Sequence, residues 1–170
     1  MEPEEIRALK GIDAIEVFNT GTERLCHAGR AEVYWDMLLR EGKRVLAIAC
    51  DDTHGKTARS DRFVGWIMVN APELTQEAIL KALREGNYYS TMGPQLHEVS
   101  IEDGVVHVEC SPCSEVHVIT YPPRGKAHYA EENLLVSLDY PLKGGESYVR
   151  VECIDANGCT AWSNPIFLNE

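Results

Sequence analysis

Val45-Leu46-Ala47-Ile48-Ala49-Cys50-Asp51-Asp52-Thr53-His54-Gly55 is the stretch on which the reading of this chain turns. An unbroken apolar run leads straight into two carboxylates and an imidazole. Such a run is the pattern of a strand covered on both faces, as in a parallel sheet. The Asp-x-His that follows then lies at the strand's carboxyl end, where barrel and open α/β enzymes place their chemistry. In extended backbone, residues i and i+2 project to the same side. Asp52 and His54 are therefore expected to aim at one point. A carboxylate oxygen and an imidazole nitrogen converging there make two thirds of a typical catalytic metal shell. The remainder of the shell is not obvious elsewhere in the chain.

Around this strand, residues 3 to about 92 alternate helical and strand patterns. Pro3 to Lys10 reads as a short helix with proline near its start and acids in the first turn. Residues 13–18 read as a strand and Asn19-Thr20-Gly21 as a turn. Ala31 to Arg40 reads as an amphipathic helix, with Val33, Met37 and Leu38 on or near one face and Gly42 closing it. Residues 51–62 are polar and loop-like, and 63–70 read as a third strand. Thr75 predicts the N-cap of a helix over 76–85, with Gly86 as its stop.

From Gly93-Pro94 onward, short alternating strands are separated by turn chemistry: Glu102-Asp103-Gly104, Pro122-Pro123-Arg124-Gly125, Lys143-Gly144-Gly145 and Asp155-Ala156-Asn157-Gly158. Tight spacing of this kind predicts an antiparallel sandwich or small barrel. The expected architecture is an α/β region over 1–92 and an all-β, immunoglobulin-like sandwich over 93–170. Two or three strand–helix units are too few for a closed parallel barrel, which takes about 250 residues, so the α/β part is either a small open sheet or a piece of a larger enzyme.

The totals exclude several classes. A net charge of −11 argues against binding a nucleic-acid backbone, which needs clustered Lys and Arg. No apolar run approaches the ~18 residues of a membrane helix, and the acidic N-terminus is unlike a signal peptide. A cytoplasmic location is the resulting expectation. Six cysteines (26, 50, 110, 113, 153 and 159) are then expected to be free thiols.

Several segments together resemble the carboxyl-terminal portion of PHP (polymerase and histidinol phosphatase) metallohydrolases, of the kind with a β-sandwich after the barrel. They are Asp13-Ala14-Ile15-Glu16-Val17-Phe18-Asn19, Trp35-Asp36-x-Leu38-Leu39-x-x-Gly42, Ala49-Cys50-Asp51-Asp52-x-His54, Gly65-Trp66-x-x-Val69 and Gly86-Asn87-Tyr88-Tyr89-Ser90-Thr91-Met92-Gly93-Pro94. Tyr148-Val149-Arg150-Val151-Glu152 and Ala161-Trp162-Ser163-Asn164-Pro165-Ile166 fit the same pattern. The resemblance implies a partial barrel whose Asp52 and His54 match the last metal-binding pair, a divalent ion (Zn, Mn, Fe or Mg), and phosphoester hydrolysis. The family's opening His-x-His is missing, since none of the histidines at 27, 54, 97, 107, 117 and 128 forms one. The expected function is thus a portion of a metal-dependent phosphoesterase, incomplete as an enzyme on its own. The alternative is a non-catalytic binding or association module derived from such an enzyme.

Other groups are weighed against that site. Glu16 and Asn19 are candidates for the same mouth or are strand-end polar groups that serve the turn, and Asp51 is either a group orienting His54 or a solvated carboxylate. Lys56, Arg59 and Arg62 follow the pair directly and are either candidates for holding substrate phosphate or part of a solvated, mobile loop. Cys110-Ser111-Pro112-Cys113 has no matching second Cys-x-x-Cys. Even with His107 and His117 nearby, it falls short of a zinc shell. Cys153 and Cys159 flank a turn and are read as facing each other across a hairpin, or as plain buried thiols. The expected partners are a small phosphorylated substrate, no nucleic acid and no membrane. A truncated sheet exposes apolar edges, so a homo-oligomer, or association with the missing barrel portion, is expected.

Overall fold

The computed structural model describes residues 2–55 and 60–168. Strand makes up 41% and helix 20%, with three sheets and no closed barrel among the described residues. This corrects the expected α/β partial barrel: the protein is mostly β. The backbone falls into two compact units, Met1–Tyr88 and Tyr89–Glu170.

The first unit runs α1 (Pro3–Ala8), β1 (Ala14–Asn19), α2 (Thr20–Cys26), α3 (Glu32–Arg40), β2 (Leu46–Cys50), β3 (Trp66–Val69) and α4 (Gln76–Glu85). β1 and β2 pair in parallel, from Ala14 opposite Leu46 to Asn19 opposite Cys50. That ladder stops at two strands, and its outer edge shows why no barrel forms. Phe18 bridges Arg30, the Asn19 amide donates to the Gly29 carbonyl at 2.8 Å, and the Ala31 amide donates to the Val17 carbonyl at 3.0 Å. Irregular chain holds the edge that a barrel would give to its next strand. β2 itself alternates, with Ala47 and Ala49 buried and Leu46, Ile48 and Cys50 half-buried. One full face and one partial face is not the doubly covered strand that the apolar run predicted.

Local signals explain the helices. Thr75 caps α4 by accepting the Ala78 amide at 3.3 Å, and Gly86 ends it in the left-handed region at φ 74°. α2 is a helix where the sequence suggested a turn. Its cap is Asn19, whose Oδ1 accepts the Thr22 amide at 2.8 Å. α3 buries Trp35, Leu38 and Leu39, spaced i, i+3, i+4, whereas Val33 is exposed. The Trp35 indole donates to the Val45 carbonyl at 2.8 Å, tying α3 to the start of β2.

The second unit holds β4 (Tyr88–Thr91), β5 (Leu96–Glu102), β6 (Val105–Cys113), β7 (Glu115–Tyr121), β8 (Lys126–Tyr129), β9 (Leu135–Pro141), β10 (Tyr148–Ile154), β11 (Thr160–Ser163) and β12 (Ile166–Phe167). One sheet runs β4-β11-β10-β7-β8, with β12 also on β10, and the other runs β5-β6-β9. All these pairings are antiparallel. Val106 and Val108 of β6 share one buried cluster with Val116 and Val118 of β7 and Val149 and Val151 of β10. A core built from the inner faces of two sheets is a β-sandwich. The chain changes sheet at Ser114, whose amide and hydroxyl both bond the Ile154 carbonyl, at 2.8 and 3.1 Å. No helix among the described residues is long and apolar enough to cross a membrane.

Candidate functional site

Parallel pairing brings the carboxyl ends of β1 and β2 to one side, and polar side chains gather there. The Asn19 side-chain amide donates to Glu16 Oε2 at 3.0 Å and to Asp52 Oδ2 at 3.3 Å. It links a carboxylate within β1 to one just past the end of β2. The Cys50 thiol donates to the other Glu16 oxygen at 3.3 Å. His54 Nδ1 lies 2.7 Å from the Asp52 carbonyl and 3.5 Å from Asp52 Oδ1. Both are acceptors, so Nδ1 carries the proton of the neutral ring and Nε2 keeps its lone pair. The side chains of Asp52 and His54 are 46% and 61% exposed, open to an ion from solvent.

The route to this convergence differs from the i, i+2 argument. Asp52 has φ 47°, in the left-handed region, so the chain leaves extended geometry at the carboxylate itself. Aspartate tolerates that region better than most residues, at a cost of about 1 kcal/mol. The turn folds the imidazole back over the Asp52 carbonyl.

Asp51 is half-buried and is held by the returning chain rather than set against His54. Its carboxylate accepts the amides of Phe63 (2.5 Å), Val64 (3.0 Å) and Gly65 (2.8 Å) and the Thr20 hydroxyl (3.1 Å). Burial pushes its pKa up, but the Gly65, Val64 and Phe63 amides and the Thr20 hydroxyl outweigh that and hold it below the ordinary carboxylate value. Asp51 thus pins the returning chain against the strand end. Asp61, which sequence reasoning passed over, does the same for the His54 loop. Its Oδ2 accepts the His54 amide at 2.9 Å and the Gly55 amide at 3.0 Å, and its carbonyl accepts the Thr53 hydroxyl at 2.8 Å. An aspartate in a polar loop carries no pattern that would have singled it out. Lys56 and Arg59 lie outside the described residues. Arg62 is exposed, and its charge acts on Asp61.

The cysteines are arranged otherwise than the hairpin reading suggested. All six are free. Cys153 meets Cys110 and Cys113, and the three sulfurs lie within 4.8 Å of one another. Among the described residues this is the one such group of three or more His, Cys, Asp or Glu ligand atoms. Alternation along Tyr148–Ile154, which puts Val149, Val151 and Cys153 on one face, was the signal that could have found it.

The Asp52–His54 donors are oxygen and nitrogen, a set suited to a divalent ion. They fit part of a shell, with Glu16 one hydrogen-bonded step away through Asn19. Compared with known proteins, the chain matches no family model, no curated protein and no solved structure.

Proposed function

We propose that the carboxyl end of the β1–β2 ladder is the ligand-bearing portion of a metal-dependent phosphoesterase, incomplete as an enzyme by itself. Asp52 and His54 hold a divalent ion, and Glu16, through Asn19, keeps the carboxylates of the two strand ends in register. The observation that carries this reading is the Glu16–Asn19–Asp52 chain of hydrogen bonds beside an imidazole whose Nε2 is left for a ligand. The order of motifs, which resembles PHP metallohydrolases, supports the same chemistry. The ion, when bound, lowers the pKa of a water and offsets charge on phosphoryl oxygens. In this proposal Asp52 and His54 bind, Asp61 and Asp51 orient the two loop arms, and Arg62, with Lys56 and Arg59 just before it in sequence, draws the phosphate of a small substrate.

A second reading is favoured by the short donor list: a non-catalytic binding or association module derived from such an enzyme. The two separate on one experiment. The full chain is titrated with Mn²⁺ and followed by calorimetry and by electron paramagnetic resonance, then given a generic aryl phosphate. The phosphoesterase reading expects Mn²⁺ binding that weakens at least about tenfold in Asp52→Ala and in His54→Ala, with slow turnover that follows occupancy. Binding without turnover favours the module. Equal Mn²⁺ binding by the wild type and an Asp52→Ala/His54→Ala double variant sinks both metal roles.

A further inference from the structure

We propose that Cys110, Cys113 and Cys153 form a three-sulfur site for a soft d¹⁰ cation, Zn²⁺ or Cu⁺, inside the sandwich of the second unit. The site is separate from the Asp52–His54 end and does not depend on it.

The geometry comes from two strands in different sheets. Residues three apart on a regular strand face opposite ways. Cys110 and Cys113 nonetheless are both buried, because β6 shifts register against β9 between Glu109 and Cys113. That irregularity turns both thiols inward just before the chain changes sheet at Ser114. β10 brings Cys153 from the other layer, where it pairs with Val116 on one side and Ala161 on the other. The three residues are 4%, 0% and 0% exposed, and their sulfurs all lie within 4.8 Å of one another.

A metal–sulfur bond of about 2.3 Å in a planar trigonal shell separates the sulfurs by about 4 Å. The trio, with every sulfur within 4.8 Å of the other two, is already on that scale. Thiolates select soft cations over hard ones such as Mg²⁺, and no histidine or carboxylate joins the cluster among the described residues. Zn²⁺ leaves the trio with a charge of −1 and Cu⁺ with −2. The apolar core favours the smaller charge, whereas the lack of a fourth protein donor favours Cu⁺ over the four-coordinate habit of zinc. On binding, the S–H bonds break, metal–sulfur bonds replace them, and the protons pass to the buffer.

The test loads the reduced full chain, under nitrogen, with Zn²⁺ in one arm and Cu⁺ in the other, and reads the metal-edge X-ray absorption. The expected result, in at least one arm, is one cation per chain with a shell of three sulfurs, and a higher thermal midpoint than the metal-free chain. The arm that gives it identifies the cation. Cys153→Ala is expected to weaken binding at least about 100-fold, while Cys26→Ala and the Asp52→Ala/His54→Ala variant leave it unchanged. Fewer than three sulfurs in both arms overturns the proposal, as does unchanged affinity in folded Cys153→Ala. Should that variant not fold, the wild-type sulfur count alone decides.

Discussion

Cys50 and Glu16 meet across the parallel ladder, the thiol donating to the carboxylate at 3.3 Å. Burial, the hydrogen bond to Glu16 and its negative charge together push the Cys50 pKa up to about 12. Only the thiolate is nucleophilic. At pH 8, alkylation mapped by mass spectrometry should label exposed Cys26 readily and Cys50 slowly. Glu16→Gln should speed Cys50 labelling several-fold. Unchanged labelling in that variant would mean that burial alone protects the thiol.

Asp51 makes the first unit sensitive to acid. Its folded pKa is depressed, so its contribution to stability is present above the unfolded carboxylate value of about 3.9 and is lost as pH falls through the folded value. Urea unfolding should show stability dropping below about pH 4, and Asp51→Asn should flatten part of that drop. At pH 7 the same variant should cost about 2 kcal/mol, because an amide cannot accept all four donors. A full-sized acid drop in Asp51→Asn would assign it to other carboxylates; Glu146, which accepts the Lys143 amide at 2.9 Å, also has a lowered pKa.

Asp52 carries its carboxylate on left-handed backbone, at φ 47°. Glycine adopts that region without strain. Asp52→Gly should therefore keep or raise stability, by up to about 1 kcal/mol, while Mn²⁺ binding falls as in Asp52→Ala. Calorimetric metal titration beside urea unfolding checks both halves. A Gly variant that loses stability as Asp52→Ala does would show that the side chain's bond to Asn19 matters more than the backbone strain.

Gly65 occupies a place with no room for a side chain. A Cβ there would stand 2.9 Å from the Phe18 ring and 3.1 Å from the Cys50 carbonyl. Its amide is one of the Asp51 donors. Gly65→Ala should lower stability by about 1–3 kcal/mol and loosen the Asp51 knot. Amide hydrogen exchange should then quicken at Phe63, Val64 and position 65, and exchange rates equal to wild type would refute the close-packing account.

Local chemistry was readable where one or two residues decide it. Thr75 and Gly86 bound α4, and Asp52 and His54 stand after an apolar strand, because caps and strand ends are written in adjacent residues. Sheet partnership was not readable. The run 45–50 is as apolar as a barrel strand, yet nothing in it tells that the neighbouring strand's outer edge goes to Gly29–Ala31 instead of to another strand. Asn19 looked like a turn residue and is a helix cap, a choice its side chain makes equally well either way. Asp51 acts through backbone amides 12 to 14 residues off and Asp61 through amides 6 and 7 residues off, which no short motif records. Cys153 joins Cys110 and Cys113 only because β6 slips its register, a packing event invisible in spacing.

The short span from Gly29 to Ala31 also guards the molecule. By occupying the Asn19 amide and the Val17 carbonyl, it takes from that margin of β1 two of the backbone groups with which a foreign chain would pair. Fibril growth by backbone stitching is hindered at that end of the strand. Copies that meet there rely more on side-chain shape and charge, a more selective handshake than an open strand would permit.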